Sequence, residues 1–150
     1  MPSAFSSDGE ARLRARVARL SPDAPARFGQ MDASRMICHL IDAYSNTLGE
    51  NEAATVHGRL SNPIIRWLII YVVPFPKNKV KTVPSYLRTK PIEWKGDLTR
   101  WSDLLTRLVA RSHEPSPQWT PHPAFGALSS KDWGALIYKH TDHHFRQFGI

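Results

Sequence analysis

Two histidines near the end of the chain, His140 and His144, have the spacing of a metal-binding pair. Four residues on a helix make about one turn, so the two imidazoles lie on one face, about 6 Å apart along the axis. Two imidazoles placed in this way can bind the same metal ion. In the zinc-protease helix a glutamate follows the first histidine of such a pair. Thr141 occupies that position here, which argues against a zinc protease.

The apolar residues of the same helix predict which histidines point inward. At about 100° per residue, His140 and His144 lie within about 30° of the centre of the apolar face, and His143 lies about 90° away. We therefore expect His144 to be a metal ligand and His143 not to be one, although His143 could contact a ligand residue or line the pocket. The alternative is that His140 and His144 are core residues that only form hydrogen bonds, because a buried imidazole needs polar partners.

A third ligand should come from another helix, and His39 is the only histidine of the second predicted helix. His39 lies about 100° from the centre of that helix's apolar face, which suits either the solvent-facing edge of a metal site or a plain surface position. Asp42 could accept a hydrogen bond from the His39 imidazole, or it could face solvent. Gln147 lies within about 20° of His140 on the wheel and could bond to substrate or water.

Three neutral imidazoles suit zinc, nickel, iron, cobalt or copper. Three protein ligands leave at least one position open for water or substrate, as in catalytic sites. The sequence has no GxSxG, P-loop or GxGxxG motif, so nucleophile-elbow hydrolases, nucleotide triphosphatases and dinucleotide-binding enzymes gain no support.

The other residues with chemical potential are predicted to be structural. Cys38 points about 100° away from His39 and is expected to be a small buried side chain. Asp142 lies opposite the His140 face and is expected at the surface. The remaining histidines, expected on the surface or in loops, are His57, His113 and His122. The large aromatic residues expected in the core are Tyr44, Trp67, Tyr71, Trp94, Trp101 and Trp133.

The elements that must position these residues are helices. Apolar residues recur at helical spacing in four long segments, at about 8–20, 32–48, 97–111 and 129–147. Asp32 and Ser129 are expected to cap two of them. A long connection joins the second and third segments, and it contains a short apolar helix at about 63–72, with Asn62 as its cap. The prediction is an all-α, up-down four-helix bundle with a short extra helix in a long crossover connection.

Composition favours one globular domain over residues 1–150, since 41% of the residues are hydrophobic. A single cysteine allows neither an internal disulfide nor a cysteine-rich zinc site. The net charge of +7 suggests nucleic-acid binding, but the charges do not cluster as a helix that reads nucleic acid would need, so a solvated surface is the better explanation.

The most apolar stretch, residues 64–73, is interrupted by Arg66 and is about half the length of a membrane span. It is expected to pack on the bundle or at a dimer interface, which leaves a homodimer open as an assembly. The first residues have no apolar signal region, and a cytoplasmic location without membrane insertion is expected.

Two stretches of the chain resemble the DinB/YfiT-like superfamily of metal-binding four-helix bundles. They are FGQMDASRMICHL, residues 28–40, and HPAFGALSSKDWGALIYKHTDHHFRQFG, residues 122–149, which ends in the superfamily's HxxxH motif. The Trp-containing helix start, the terminal HHxRQFG and the mid-chain PFPKNKVKTVP resemble a subgroup without an assigned function. The resemblance implies that His39, His140 and His144 are the metal ligands.

The resemblance also implies a range of activities. It favours a metal-dependent enzyme of the hydrolase or thiol-S-transferase type, with zinc or nickel as the ion and a small-molecule substrate such as a low-molecular-weight thiol. Likeness of fold alone does not specify a reaction. A non-catalytic, metal-containing bundle that binds a small ligand or a partner is therefore the alternative.

Overall fold

A computed structural model describes residues 1–51, 58–76 and 84–150. The described residues form five α-helices and two short 3-10 turns and contain no β-strand, which confirms the predicted all-helical class. The helices are α1 (Ser7–Val17), α2 (Ala33–Thr47), α3 (Pro63–Tyr71), α4 (Trp94–Ser112) and α5 (Ser130–Gln147). The 3-10 turns are Arg59–Ser61 and Pro84–Leu87.

The helix starts follow the capping residues in the sequence. The Asp32 side chain accepts a hydrogen bond from the Arg35 backbone N–H at the start of α2. Ser129 and Asp132 form a reciprocal capping box before α5, and Asn62 caps α3. Helix α4 begins three residues earlier than predicted, because the Glu93 carboxylate caps its first turn.

Helix α2 lies at the centre of the molecule. It packs against α4, against the turn Pro84–Leu87 and against α5, while α1 and α3 pack on α5. All but two of the fifteen residues of α2, Ser34 and Arg35, are buried. The helix therefore has no solvent-facing side beyond its first turn, contrary to what its amphipathic pattern suggested.

Helix α3 is attached to α5 by polar contacts. The Lys139 ammonium of α5 donates hydrogen bonds to the backbone carbonyls of Ile69, Ile70 and Val73 at the carboxyl end of α3. A cation at this end of a helix is favourable, because the last carbonyls carry partial negative charge. The Tyr71 hydroxyl donates to the Asp132 carboxylate. The predicted packing of this apolar segment on the rest of the chain is therefore confirmed for its inner side.

The outer side of α3 is exposed. Ile70 is buried, but Ile64 is 71% exposed and Trp67 is 55% exposed. The prediction that Trp67 belongs to the core is therefore wrong. The core aromatic residues that the structure confirms are Tyr44, Trp101 and Trp133, with Tyr71 and Trp94 packed at its margin. Among the described residues, no helix is both long enough and apolar enough to cross a membrane.

Candidate metal centre

Three histidines converge between α2 and α5. The Nε2 atoms of His39 and His140 lie 3.0 Å apart, and the ring centroid of His144 lies 4.7 Å from that of His39 and 4.9 Å from that of His140. One ring nitrogen from each residue falls within 4.8 Å of the others. The structure thus brings together the three residues predicted as ligands.

His39 is fixed by the backbone of the turn Pro84–Leu87. Its Nδ1 lies 3.0 Å from the carbonyl oxygen of Tyr86. A carbonyl oxygen only accepts, so Nδ1 carries the proton and the lone pair is on Nε2. The side chain is 4% exposed, and the expectation of a surface or site-edge position is wrong. The reason is that residues 84–89 cover the face of α2 on which it lies.

Asp42 contacts the same segment rather than His39. Its carboxylate accepts hydrogen bonds from the backbone N–H groups of Arg88 and Thr89, and from the Thr89 hydroxyl. The residue is 3% exposed, so it neither faces solvent nor accepts a bond from the His39 imidazole. Both alternatives raised for Asp42 from the sequence are therefore corrected.

Gln147 holds His144 from the opposite side of the site. The Nδ1–H of His144 donates to the Gln147 side-chain oxygen, 3.1 Å away. The lone pair of the His144 ring is therefore on Nε2. Gln147 is 3% exposed and fits against Gly29, where an added Cβ would lie 2.4 Å from the Gln147 side-chain nitrogen. Gly29 has a φ of 82°, so both its conformation and its lack of a side chain serve this contact.

His143 lies beside the three converging histidines and is half-buried. Its ring centroid is 5.4 Å from that of Phe28 and 5.9 Å from that of Phe75. Phe75 is also 6.4 Å from the His140 ring. Two phenylalanines from separate loops thus flank this side of the site, and His143 is not part of the group whose nitrogens converge.

Burial keeps the three converging imidazoles neutral. It lowers the pKa of His39, and it lowers the pKa of His140 well below its usual value, helped by the neighbouring His144 and His39. It also lowers the pKa of His144 to about 3, again with a contribution from His39. Neutral imidazole is the form that binds a metal ion, so no proton has to be displaced from a charged ring at neutral pH.

The donor set fits a divalent cation. Zinc–imidazole bonds of about 2.0–2.1 Å at tetrahedral angles place the bound nitrogens about 3.3 Å apart. The His39 and His140 Nε2 atoms, 3.0 Å apart, are already close to that separation. The hydrogen bonds at Nδ1 of His39 and His144 are the outer contacts that metal-bound histidines commonly make.

Residues 5–149 match the family described as "Protein of unknown function (DUF1569)". The chain belongs to the DUF1569 family. No curated protein and no solved structure gives a significant match to the chain. The family description names no reaction, so a function for this DUF1569 protein has to be argued from the site itself.

Cys38 of the DUF1569 chain is a buried core residue, as predicted. It is 1% exposed, and burial, with a further contribution from the Asp97 carboxylate, raises its pKa to about 11. Asp142, in contrast, differs from its predicted surface position, because it is half-buried. It forms ion pairs with Arg16 of α1 and with Arg146, so it connects α1 to α5.

His122 lies in the loop between α4 and α5, as one of its two predicted placements has it, but it is largely buried rather than on the surface. Its Nδ1 accepts hydrogen bonds from the backbone N–H groups of Ala124 and Phe125, and burial lowers its pKa to about 4. His113 is exposed, as predicted. His57 lies outside the described residues.

Sequence reasoning missed the contributions of Tyr86, Phe28 and Phe75 to the site. Tyr86 acts through its backbone carbonyl, which every residue type has, so no residue pattern points to it. The two phenylalanines lie in Pro- and Gly-containing loops without a helical periodicity to place them. Of the two phenylalanines, only Phe28 lies in a stretch, FGQMD, that leads up to a predicted ligand.

Proposed function

We propose that this DUF1569 protein binds one divalent metal ion through His39, His140 and His144. The observation that supports the proposal is the convergence of three neutral imidazoles, two of which have their Nδ1 atoms engaged by Tyr86 and Gln147. In this proposal the chain is a DinB/YfiT-like protein in which α1, α2, α4 and α5 correspond to an up-down four-helix bundle. Helix α3 is then the short extra helix of the crossover connection.

Zinc and nickel are the ions we expect first, since imidazole nitrogen suits both, and iron, cobalt and copper are the further candidates. A divalent ion bound by three imidazoles supplies Lewis acidity and lowers the pKa of a water or thiol that it binds. We propose a small-molecule substrate, with a hydrolase or a thiol-S-transferase reaction that uses such a water or a low-molecular-weight thiol. His143, Phe28 and Phe75 flank the site on the side where such a molecule would bind.

A non-catalytic, ligand-binding protein is the second candidate function. A cleft of about 310 Å³ lies between α1 and α4 and is lined by residues that include Arg14, Leu98 and Trp101. A second cleft of about 290 Å³ includes Phe5, His113 and Lys131. Both are shallow and open to solvent, and neither is lined by the three histidines, so a ligand bound there would lie away from the metal.

Metal analysis of protein purified without a histidine tag is the first test. We expect about one zinc or nickel ion per chain after reconstitution and dialysis, and loss of that ion in His140→Ala. His113→Ala is the matched control, because His113 is an exposed histidine outside the site. Failure of the unmodified protein to retain zinc, nickel or cobalt would overturn the proposal.

Cobalt substitution separates the two candidate functions. In the enzyme, a small thiol added to the cobalt-loaded protein should bind at the open position and add a sulfur-to-cobalt charge-transfer band to the visible spectrum. In the non-catalytic protein, a fourth protein ligand would close the site, and the spectrum should not change with thiol.

The proposal also includes a homodimer and a cytoplasmic location. The exposed apolar side of α3, with Ile64, Trp67 and Val72, is the surface that we expect a second copy to cover. Light scattering should then give about twice the chain mass of 17.0 kDa. A single cysteine is in keeping with a reducing compartment, and fractionation of cells that produce the untagged protein would test it.

A further inference from the structure

Helix α2 has a polar side that is buried instead of exposed. His39, Asp42 and Asn46 follow one another at three- and four-residue spacing and therefore share one face of the helix. Their exposed fractions are 4%, 3% and 1%. All three side chains bind residues 84–89, which lie over this face.

The three contacts fix the position of one carbonyl group. Asn46 accepts a hydrogen bond of 3.1 Å from the Tyr86 hydroxyl. Asp42 Oδ2 accepts bonds of 2.8 and 2.9 Å from the backbone N–H groups of Arg88 and Thr89, and Oδ1 accepts a bond of 2.6 Å from the Thr89 hydroxyl. The carbonyl of Tyr86, between these anchors, meets Nδ1 of His39.

The carboxylate is suited to hold this segment, because an ionised carboxylate only accepts and all three opposing groups donate. Bonds from N–H groups to a charged acceptor are also stronger than neutral ones. An asparagine side chain of the same shape could keep its oxygen toward the two backbone N–H groups only as a neutral acceptor, and the Thr89 hydroxyl would have to turn round and accept from the NH₂ group. The strength of the two backbone bonds and the direction of the Thr89 bond therefore depend on the carboxylate and not only on the shape of the side chain.

We propose that Asp42 is a positioning residue for His39, acting through the backbone of residues 86–89. By holding the Tyr86 carbonyl against Nδ1, it keeps the proton there and the Nε2 lone pair directed at His140 and His144. The role as a metal-site residue rests on the function proposed above. The effect on the His39 tautomer does not, because it belongs to the metal-free protein.

Asp42→Asn tests the inference, with Asp97→Asn as the matched control. Asp97 is also a buried carboxylate that accepts a backbone N–H bond, but from Ile92 and not from residues 84–89. Two quantities are measured for each variant: the tautomer of His39 in metal-free protein, by long-range ¹H–¹⁵N NMR, and zinc affinity, by competition with a chromophoric chelator.

We expect His39 in the unmodified protein to carry its proton on Nδ1, and to become a mixture of tautomers in Asp42→Asn. Zinc affinity should fall about 10- to 100-fold in Asp42→Asn, the usual effect of losing such an outer contact. Asp97→Asn should leave both quantities unchanged. A single Nδ1–H tautomer with undiminished affinity in Asp42→Asn, or an equal loss in Asp97→Asn, would overturn the inference.

Thr89 provides a second pair of variants in case Asp42→Asn does not fold. Thr89→Val removes the hydroxyl that donates to Asp42, whereas Thr89→Ser keeps it. A partial shift of the His39 tautomer in Thr89→Val, restored in Thr89→Ser, supports the inference, and equal spectra for the two variants contradict it. If the unmodified protein binds none of zinc, nickel and cobalt, the proposed function fails, while the tautomer comparison still decides the role of Asp42.

Discussion

The Nε2 atoms of His39 and His140 lie 3.0 Å apart, although 101 residues separate them in the chain. Because the Tyr86 carbonyl keeps the His39 proton on Nδ1, His39 Nε2 acts as the acceptor of this contact and His140 Nε2–H as its donor. If His140 held a metal ion through Nε2, that proton would have to move to Nδ1. The two nitrogens that a cation would share are thus within hydrogen-bond distance of each other.

We expect His144→Ala to lose most of its metal affinity and His143→Ala to retain it. His144 contributes one of the three converging nitrogens, whereas His143 lies beside them between Phe28 and Phe75. Two imidazoles do not fill a tetrahedral site, so the loss in His144→Ala should be large. Zinc titration of both variants is the measurement, and retention by His144→Ala together with loss by His143→Ala would contradict the assignment.

Gly29→Ala should weaken both the fold and the metal site. An alanine at a φ of 82° is strained, and its Cβ would lie 2.4 Å from the Gln147 side chain that holds His144. We expect a loss of about 1–3 kcal/mol in the free energy of unfolding and a drop in zinc affinity of about 10-fold.

Gly126→Ala is the control for Gly29→Ala. Gly126 has a φ of 72°, but an added Cβ there meets no atom within 4 Å. It should lose stability through backbone strain alone and keep its zinc affinity. Equal zinc affinities in the two variants would show that the contact between Gly29 and Gln147 does not affect the site.

Lys139→Met should weaken the attachment of α3 to α5 and so lower the stability of the protein. The Lys139 ammonium donates to three carbonyls at the end of that helix, and methionine retains most of the chain length without the charge. We expect the free energy of unfolding in urea to fall by about 1–2 kcal/mol. Lys131→Met, at an exposed lysine of the same helix, should change it by less than about 0.5 kcal/mol.

The stability of the protein should fall in mild acid, in part because of His122. Its pKa is about 4 in the folded chain and 6.5 in the reference state. Between these values the unfolded chain binds the extra proton, so stability is full above pH 6.5 and is lost as the pH falls toward 4. The shift corresponds to about 3 kcal/mol at most.

His122→Asn isolates this contribution. Asparagine keeps an acceptor for the N–H groups of Ala124 and Phe125 but does not titrate. Its unfolding free energy, measured in urea from pH 7 to pH 4, should fall less steeply than that of the unmodified protein. The exposed His113→Asn should follow the unmodified protein, and an unchanged slope in His122→Asn would refute the assignment.

The features that could be predicted from the sequence are those that local spacing within one helix determines. The capping box of Ser129 and Asp132 starts α5, and its helical spacing puts His140 and His144 on one face, as found. The environment of His39 could not be predicted in this way. It depends on residues 84–89, which precede α4 in the chain and reach α2 through tertiary contacts only.

The predicted burial is wrong on two helices, α2 and α3, in opposite directions. A hydrophobic wheel assumes that polar residues face water, but on α2 the polar His39, Asp42 and Asn46 are buried because they bind the 84–89 backbone. On α3 the reverse holds, since Trp67 is apolar and exposed. On α2, hydrogen-bond partners rather than polarity decide burial.

Cys38, next to His39 in the chain, allows the opening of the structure around α2 to be measured by the reactivity of a thiol. Its thiol is 1% exposed, with a pKa of about 11, so alkylating reagents find almost no accessible thiolate in the folded molecule. Since it is the only cysteine, every labelled molecule is one in which the structure around Cys38 of α2 has opened. The labelling rate therefore measures how often the structure opens around the helix that carries His39 and Asp42.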